Sequence, residues 1–214
     1  MPTTLTMRID SLKNAPDRAG RYWVTFSDGT RLGLYRQTVE DFGLYPGKEL
    51  DEQEFARLGE EAGKMSAKMR AVRIVSASSV SKRDLQQRLV RKGEDPEQAK
   101  AAVAWMEDLH LVDDTATAEQ VVRSCIYKGY GLQRAKQALY EKQIPKAYWE
   151  EALEDYPDQT EKIVEFLRAR LDADSDEKQR KRAIDALIRR GHSYGTIKKA
   201  LNTLSFDTED VFED

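Results

Sequence analysis

The sequence is poor in cysteine, histidine and long apolar runs, and each shortage excludes a class of protein. Cys125 is the single cysteine, so no disulfide can form within the chain, and its thiol fits a reducing cytosol. No segment approaches the roughly 20 consecutive apolar residues of a membrane helix. Residues 1–10 lack the basic and then apolar pattern of a signal peptide. We therefore expect a cytoplasmic protein that does not associate with membranes.

Motifs that carry chemistry are equally scarce. The histidines, His110 and His192, lie far apart in sequence, and there is no Cys-x-x-Cys pair, no His-Glu-x-x-His, no phosphate loop and no Gly-x-Gly-x-x-Gly. We interpret residues 129–131 (Gly-Tyr-Gly) as a corner between two helices, and residues 113–114 (Asp-Asp) as a helix cap rather than a catalytic pair. The sequence therefore predicts a protein that is not an enzyme and needs no metal or cofactor.

Charge is what the chain has in excess, and it is unevenly distributed. Of its 214 residues, 34% are charged and 40% are hydrophobic, which is enough apolar material for a packed core. The net charge is −3, but residues 64–146 carry +6, whereas residues 1–63 carry −3 and residues 147–214 carry −6. Such a basic central segment could bind nucleic acid or an acidic protein surface, although an uneven charge distribution is also common on solvent-exposed helix faces.

The first 50 residues predict a small strand-rich segment. Residues 21–26 and 31–35 are rich in aromatic and β-branched side chains and flank Asp28-Gly29, a pair that favours a tight hairpin turn. Residues 7–13 offer a third strand, which would make the sheet less marginal than a lone hairpin. We therefore predict a hairpin or three-stranded sheet at this end of the chain.

From residue 51 onward the apolar residues recur at helical spacing, and one pattern is repeated three times. The repeat has a period of 50 and then 48 residues, with a leucine at one position and an alanine thirteen residues later, namely Leu89, Leu139 and Leu187 followed by Ala102, Ala152 and Ala200. Each unit predicts a helix, a tight turn and a helix, preceded by another helix. Ser81 and Asp95 mark two of the predicted helix starts.

These patterns predict a mainly α fold of tandem three-helix repeats after the strand-rich segment. The predicted boundaries are residues 1–50 for that segment, residues 51–112, 113–156 and 157–206 for repeats one to three, and residues 207–214 for an acidic tail. Because a short helix pair cannot bury its apolar face alone, we expect the repeats to stack into an elongated, curved rod.

Several segments resemble the RecX family of recombination regulators. Residues 81–93 read SKRDLQQRLVRKG, residues 109–114 read LHLVDD, an alanine follows, and residues 127–131 read YKGYG before a second hairpin at residues 135–144. The order of these segments, together with the threefold repeat, is similar to the family pattern over residues 60 to 200. The second hairpin departs from that pattern at Gln143, where glycine is more usual, and the third repeat matches poorly.

The resemblance implies a modulator of RecA. Members of the family are all-helical repeat proteins that lodge along the groove of the RecA–single-stranded DNA filament and limit its growth or promote its loss. This lowers strand exchange, ATP turnover and co-protease activity. The family has no catalytic residues to carry over. Residues 1–50 resemble extensions of some longer members, and their role is open.

Basic and aromatic residues of the middle repeats are our candidates for the surface that faces RecA or DNA. They are Arg70, Arg73, Lys82, Arg83, Arg88, Arg91, Lys92, Arg123, Tyr127, Lys128, Tyr130, Arg134 and Lys136. We expect a monomer whose partner is the RecA filament, with single- or double-stranded DNA as a further candidate. We also expect that reversing Arg88, Arg91 and Lys92 together weakens inhibition of RecA without changing thermal unfolding.

Two other interpretations remain open. Helix pairs with basic residues could enter the major groove of DNA as a helix-turn-helix module that acts without RecA. A helical repeat could also serve as a scaffold for an unrelated partner. Salt separates the first from RecA binding, because phosphate contacts weaken steeply as salt rises.

Overall fold

The fold is mainly helical with a small antiparallel sheet near its N-terminus, as the sequence predicts. The computed structural model describes residues 6–172 and 174–204. The acidic tail predicted at residues 207–214 lies outside the described residues. The chain divides after Val112 into two compact units.

The first unit begins with four strands rather than the three that the sequence predicts. They are hydrogen-bonded in the order β3-β2-β1-β4, with antiparallel neighbours: β1 Met7–Leu12, β2 Arg21–Phe26, β3 Arg31–Tyr35 and β4 Glu49–Leu50. The fourth strand was missed because two residues are too few to show the alternation that marks a strand. It adds one short edge to the sheet, beside β1.

The predicted hairpin turn is present between β2 and β3. Gly29 has a φ of +85°, a conformation that glycine adopts without steric cost. The Asp28 carboxylate accepts a hydrogen bond of 2.8 Å from the Thr30 amide and closes the loop. A short helix that the sequence analysis missed, α1 (Arg36–Asp41), follows β3.

One face of the sheet forms the core of this part of the unit. Ile9, Val24, Phe26 and Leu34 are fully buried there, together with Leu58 from the helix that follows the sheet. Because that helix also belongs to the first repeat, the sheet and the repeat share a continuous element.

The first repeat contains α2 (Glu52–Ala77), α3 (Lys82–Arg91) and α4 (Pro96–Asp108). The predicted start signals act as caps. The Ser81 hydroxyl accepts the Asp84 amide at the start of α3, and the Asp95 carboxylate accepts two amides of α4. Each cap satisfies backbone donors that the first helical turn leaves without partners.

The second unit contains two further helical triplets. Asp113 caps the first of its helices, as predicted, through bonds from the Thr115 and Ala116 amides. The helices are α5 Asp114–Tyr127, α6 Leu132–Glu141, a 3-10 turn Lys146–Tyr148 that leads into α7 Trp149–Leu153, then α8 Thr160–Arg168, α9 Glu177–Arg189 and α10 Tyr194–Thr203.

Equivalent positions of the sequence repeat have equivalent structural roles. Leu89, Leu139 and Leu187 are 0%, 0% and 1% exposed, and each lies in a separate hydrophobic cluster. The turn that follows each of these helices contains a residue with positive φ, at Gly93 (+90°), Gln143 (+56°) and Gly191 (+83°). The repeat of the sequence is therefore a repeat of both core packing and backbone conformation.

Candidate basic interface

The candidate residues fall into two groups, one in each compact unit. Arg70, Arg73, Lys82, Arg83, Arg88, Arg91 and Lys92 belong to the first unit, on α2, on α3 and at its end. Arg123, Tyr127, Lys128, Tyr130, Arg134 and Lys136 belong to the second, on α5, on α6 and in the corner between them.

Four cations of the first group line one cleft of about 490 Å³. They are Arg70 and Arg73 on α2, Arg88 on α3, and Lys92 just after α3, and Arg21 of β2 joins them. Strand β3 packs against α2 at this side of the sheet and contributes Tyr35 to the wall. The cleft, defined by these residues, is therefore built jointly by the sheet and the first repeat.

Buried carboxylates hold two of the arginines in place. Arg70 donates through Nε to Glu94, a residue only 8% exposed that also accepts a 3.0 Å bond from the Ser66 hydroxyl. Arg88 forms a two-point contact with Asp84, which is 6% exposed, through Nε at 2.9 Å and Nη2 at 2.7 Å. Such contacts orient the guanidinium groups and compensate the buried charges.

The other two arginines of the cleft are held by residues of the N-terminal sheet. Arg73 donates through Nη2 to the Tyr35 hydroxyl at 2.7 Å. Arg21 bonds Asp17 through Nη2 at 2.8 Å. Hydrogen bonds from the Arg21 amide and guanidinium lower the pKa of Asp17 to about 2, so this carboxylate stays ionised.

The remaining cations of α3 face away from this cleft or are already paired. Lys82 forms an ion pair of 2.7 Å with Glu107. Arg83 and Arg91 line a separate shallow depression beside Val90, and within residues 6–172 and 174–204 neither makes an ion pair. Helix α3 therefore presents two unneutralised arginines on its exposed side.

Among the described residues, the candidates of the second unit include fewer cations without an ion pair than those of the first. Arg123 pairs with Glu119 and Arg134 pairs with Glu141, both at 3.1 Å. The hydrogen bond from Arg134 lowers the pKa of Glu141. Lys128 and Lys136 are the candidates of this group that form no ion pair with any described residue.

The two candidate tyrosines differ in their availability. Tyr127 is 84% exposed, so its ring is open to a partner. Tyr130 is half-buried, its carbonyl accepts a 2.7 Å bond from the Tyr156 hydroxyl, and the Arg190 guanidinium lies 5.8 Å from its ring centroid. Burial raises the pKa of Tyr156 to about 12, which keeps this donor protonated. Tyr130 therefore has a packing role in the corner.

That corner is joined to the third repeat by its backbone. The Gly131 amide donates to the Arg190 carbonyl at 2.9 Å, and the Gln133 amide donates to the Gly191 carbonyl at 3.2 Å. The buried His192 ring bonds the Gly129 carbonyl at 3.0 Å. Residues 129–131 are thus a helix corner, as predicted, and carbonyls of the third repeat cap α6 in place of a side chain.

Sequence reasoning missed Arg21 and Tyr35, both from the segment whose role it left open. Alternation within β2 places Arg21 on the same side as Trp23, and the two groups stack at 5.0 Å. Alternation does not say which face of a sheet a later helix will cover. Nothing in the sequence therefore brings Arg21 to α2.

The position of Arg88 argues against the expectation that reversal of Arg88, Arg91 and Lys92 together leaves thermal unfolding unchanged. Arg91 and Lys92 are exposed, but Arg88 neutralises the buried Asp84. A carboxylate at position 88 would place two like charges together in a buried site. A test of the surface must therefore spare Arg88.

No metal or membrane feature stands out in the described chain. Among residues 6–172 and 174–204 there is no group of three or more His, Cys, Asp or Glu side chains arranged to hold a metal ion. None of the helices in these residues combines the length and apolar character needed to cross a bilayer. Cys125 is buried, and this burial raises the pKa of its thiol.

Comparison with known proteins identifies relatives that match most of the chain. A family model described as "RecX, second three-helix domain" matches residues 113–153. The chain is 31% identical over 165 residues to regulatory protein RecX of Xanthomonas axonopodis pv. citri, covering 75% of this chain and 100% of the relative. It is 26% identical to regulatory protein RecX of Clostridioides difficile, covering 95% of this chain and 98% of the relative.

Two solved structures share the fold. A crystal structure of regulatory protein RecX aligns with a TM-score of 0.60 at 23% identity, covering 90% of this chain and 99% of the other. RecX from Lactobacillus salivarius aligns with a TM-score of 0.58 at 24% identity, covering 67% of this chain and 97% of the other. With its repeat, its helix corners and these relatives, the chain belongs to the RecX family of regulatory proteins.

Proposed function

We propose that this protein regulates homologous recombination and the SOS response by binding in the groove of the RecA–single-stranded DNA filament and limiting filament growth and activity. The observation that carries the proposal is the repeated helical triplet of a RecX-family chain, with cations that no described carboxylate neutralises on its first two copies. Among the candidate residues, these cations include Arg83, Arg91, Lys92, Lys128 and Lys136.

Repetition is the physical reason for this choice of partner. A filament of identical subunits presents the same groove surface at regular intervals. A protein with several copies of one helical unit can place successive copies against successive subunits, and weak contacts then add as in multivalent binding. Such a protein acts by occupancy and needs no catalytic group, and its place of action is the cytoplasm, where the filament forms.

The test measures ATP hydrolysis by RecA on single-stranded DNA with increasing amounts of this protein. We expect inhibition by the wild type. A variant with Arg83, Arg91 and Lys92 changed to Glu should require about tenfold more protein for the same inhibition, a loss of roughly 1.4 kcal/mol. These three residues are exposed and bond no described carboxylate, so the variant should unfold at the wild-type temperature.

A matched control lies in the third repeat. Lys178, Lys181 and Arg182 are exposed on α9, and their change to Glu alters the net charge by the same amount. This control variant should inhibit RecA as the wild type does. Equal inhibition by both folded variants would exclude the α3 surface, and a wild-type protein with no effect on RecA would overturn the proposed function itself.

A further inference from the structure

The cleft between the N-terminal sheet and the first repeat has a composition that recognition of a filament surface does not explain. Five of its described lining residues are cations, Arg21, Arg70, Arg73, Arg88 and Lys92, and three carboxylates beside the lining offset only part of their charge. Its volume of about 490 Å³ lies within the range of small-molecule sites, roughly 300–1,000 Å³. Cations gathered in a concave site raise the local potential and favour an anion of matching size.

The arginines of this cleft are preorganised. Three of them are each held by one carboxylate, Asp17, Glu94 or Asp84, and the fourth is held by the Tyr35 hydroxyl. Held side chains lose little rotamer freedom when a ligand arrives.

These bonds leave donors available. A guanidinium has five N–H groups, and Arg88 bonds Asp84 through Nε and Nη2 only, among the described residues. Arg73 uses Nε for the Met69 carbonyl and Nη2 for Tyr35. Lys92 forms no ion pair in the described part of the chain. Arg73 and Arg88 therefore each keep both N–H groups of Nη1 and one of Nη2, and Lys92 keeps its ammonium group.

We propose that this cleft is a phosphate-binding site of the first unit. The predominance of arginine is the reason, because a planar fork of N–H groups matches the oxygens of a phosphate two at a time. The compact shape favours a single phosphoryl group within reach of several cations, whereas an acidic peptide spreads its carboxylates along an extended chain. The site gives the N-terminal sheet a function, since Arg21 and Tyr35 complete it.

The phosphate has two possible sources, a free nucleotide and the backbone of a single DNA strand, and the test separates them. Binding to the full chain is measured by calorimetry with inorganic pyrophosphate, with ATP and with a dT oligonucleotide that lacks terminal phosphates. RecA is absent from every measurement, so the result does not depend on the proposed function. Polyglutamate serves as the acidic-peptide probe.

The discriminating variants change charge equally inside and outside the cleft. The pair Arg73→Gln and Lys92→Gln removes two exposed cations of the cleft, and the pair Lys178→Gln and Lys181→Gln removes two exposed cations of α9. We expect the first pair to weaken binding of at least one phosphate probe tenfold or more, and the second pair to change it less than twofold.

Each outcome decides the inference. Selective weakening of pyrophosphate or ATP binding supports the site with a free nucleotide as its ligand, and selective weakening of oligonucleotide binding supports it with a strand. Equal effects of the two pairs, no binding of any phosphate probe, or polyglutamate binding as tight as that of the phosphates would overturn it. Should the cleft pair unfold early, Lys92→Glu compared with Lys178→Glu provides the same contrast.

Discussion

At the scale of single residues, the partners of a cation decide whether it is available for binding. Arg88 and Arg91 are one turn apart on α3, and the sequence gives no reason to separate them. Arg88 is held by Asp84, whereas Arg91 bonds only the Gln87 carbonyl of its own helix among the described residues. Arginine therefore has a structural role at position 88, whereas at position 91 it is available to bind a partner.

This difference predicts opposite outcomes for the same substitution. Arg88→Glu should lower the free energy of unfolding by about 2–3 kcal/mol, because it leaves the buried Asp84 carboxylate without its partner. Arg91→Glu should change it by less than about 0.5 kcal/mol, as exposed sites usually do. Urea unfolding followed by circular dichroism measures both, and equal losses would contradict the assigned role of Arg88.

His192 predicts a pH dependence of stability. Burial lowers the pKa of its ring below 6.5, despite the hydrogen bond to the Gly129 carbonyl that favours the protonated form. Above pH 6.5 the ring is neutral in the folded and the unfolded chain, so stability is unaffected. Below pH 6.5 the unfolded chain binds the proton first, and stability falls by at most about 1.4 kcal/mol per pH unit until the folded pKa is reached.

The measurement compares unfolding free energies at pH 7.5 and 5.5. The wild type should lose stability over this interval, and His192→Gln should lose less. The exposed His110 supplies the control, since His110→Gln should keep the wild-type loss. Identical pH profiles for all three proteins would show that His192 has no part in the effect.

At the scale of elements, the three hairpin turns show how one pattern supports different contacts. Gly93 has open space around the position of a Cβ atom, whereas a Cβ on the equivalent Gly191 would collide with the backbone of Arg134. A Cβ on Gly131, in the corner before α6, would in turn collide with the Gly191 carbonyl oxygen. At the equivalent position of the first repeat, Ser81 caps α3 with its own hydroxyl. Because Gly131 has no side chain, the backbone of the third repeat can approach the start of α6. The carbonyls of Arg190 and Gly191 then accept the amides that a side chain would otherwise cap.

A serine at position 131 should therefore destabilise the protein although serine is a favoured helix cap. We expect Gly131→Ser to cost about 2 kcal/mol or more, because backbone atoms of two turns would have to move apart. Gly93→Ala provides the comparison and should cost about 1–2 kcal/mol from its positive φ alone. Thermal unfolding of both variants tests this order, and a neutral Gly131→Ser would refute the backbone cap.

At the scale of the whole molecule, charge is segregated along the chain. Residues 64–146 have a net charge of +6 within a protein of net charge −3. A protein that bound DNA only through phosphates would lose affinity steeply and log-linearly with salt. A protein that binds the filament also through contacts with RecA retains part of its affinity when those phosphate contacts are screened.

This contrast predicts the salt dependence of the proposed activity. Inhibition of RecA should persist at a salt concentration at which the isolated protein no longer binds naked DNA. The measurement pairs ATP hydrolysis by RecA with fluorescence anisotropy of a labelled oligonucleotide across one salt series. Parallel loss of both signals would favour a DNA-binding module that acts without RecA.

The sequence by itself determined the helical class, the repeat, the caps and the helix corner. These are local properties, because each depends on residues that are close together in the sequence. A helix follows from the period of its apolar residues, and a cap from a side-chain oxygen two or three residues before an amide. A tight turn follows from a residue that can adopt a positive φ. For the same reason the predictions at Ser81, Asp95 and Asp113 are confirmed.

Only the tertiary structure decided which side chains meet. The pairing of Arg88 with a buried carboxylate, the approach of Gly131 to Gly191, and the arrival of Arg21 beside α2 join residues from different elements. Hydrophobic burial brings such elements together without regard to the polar groups that they carry. The sequence pattern of one segment therefore does not predict which side chain of another segment will contact it.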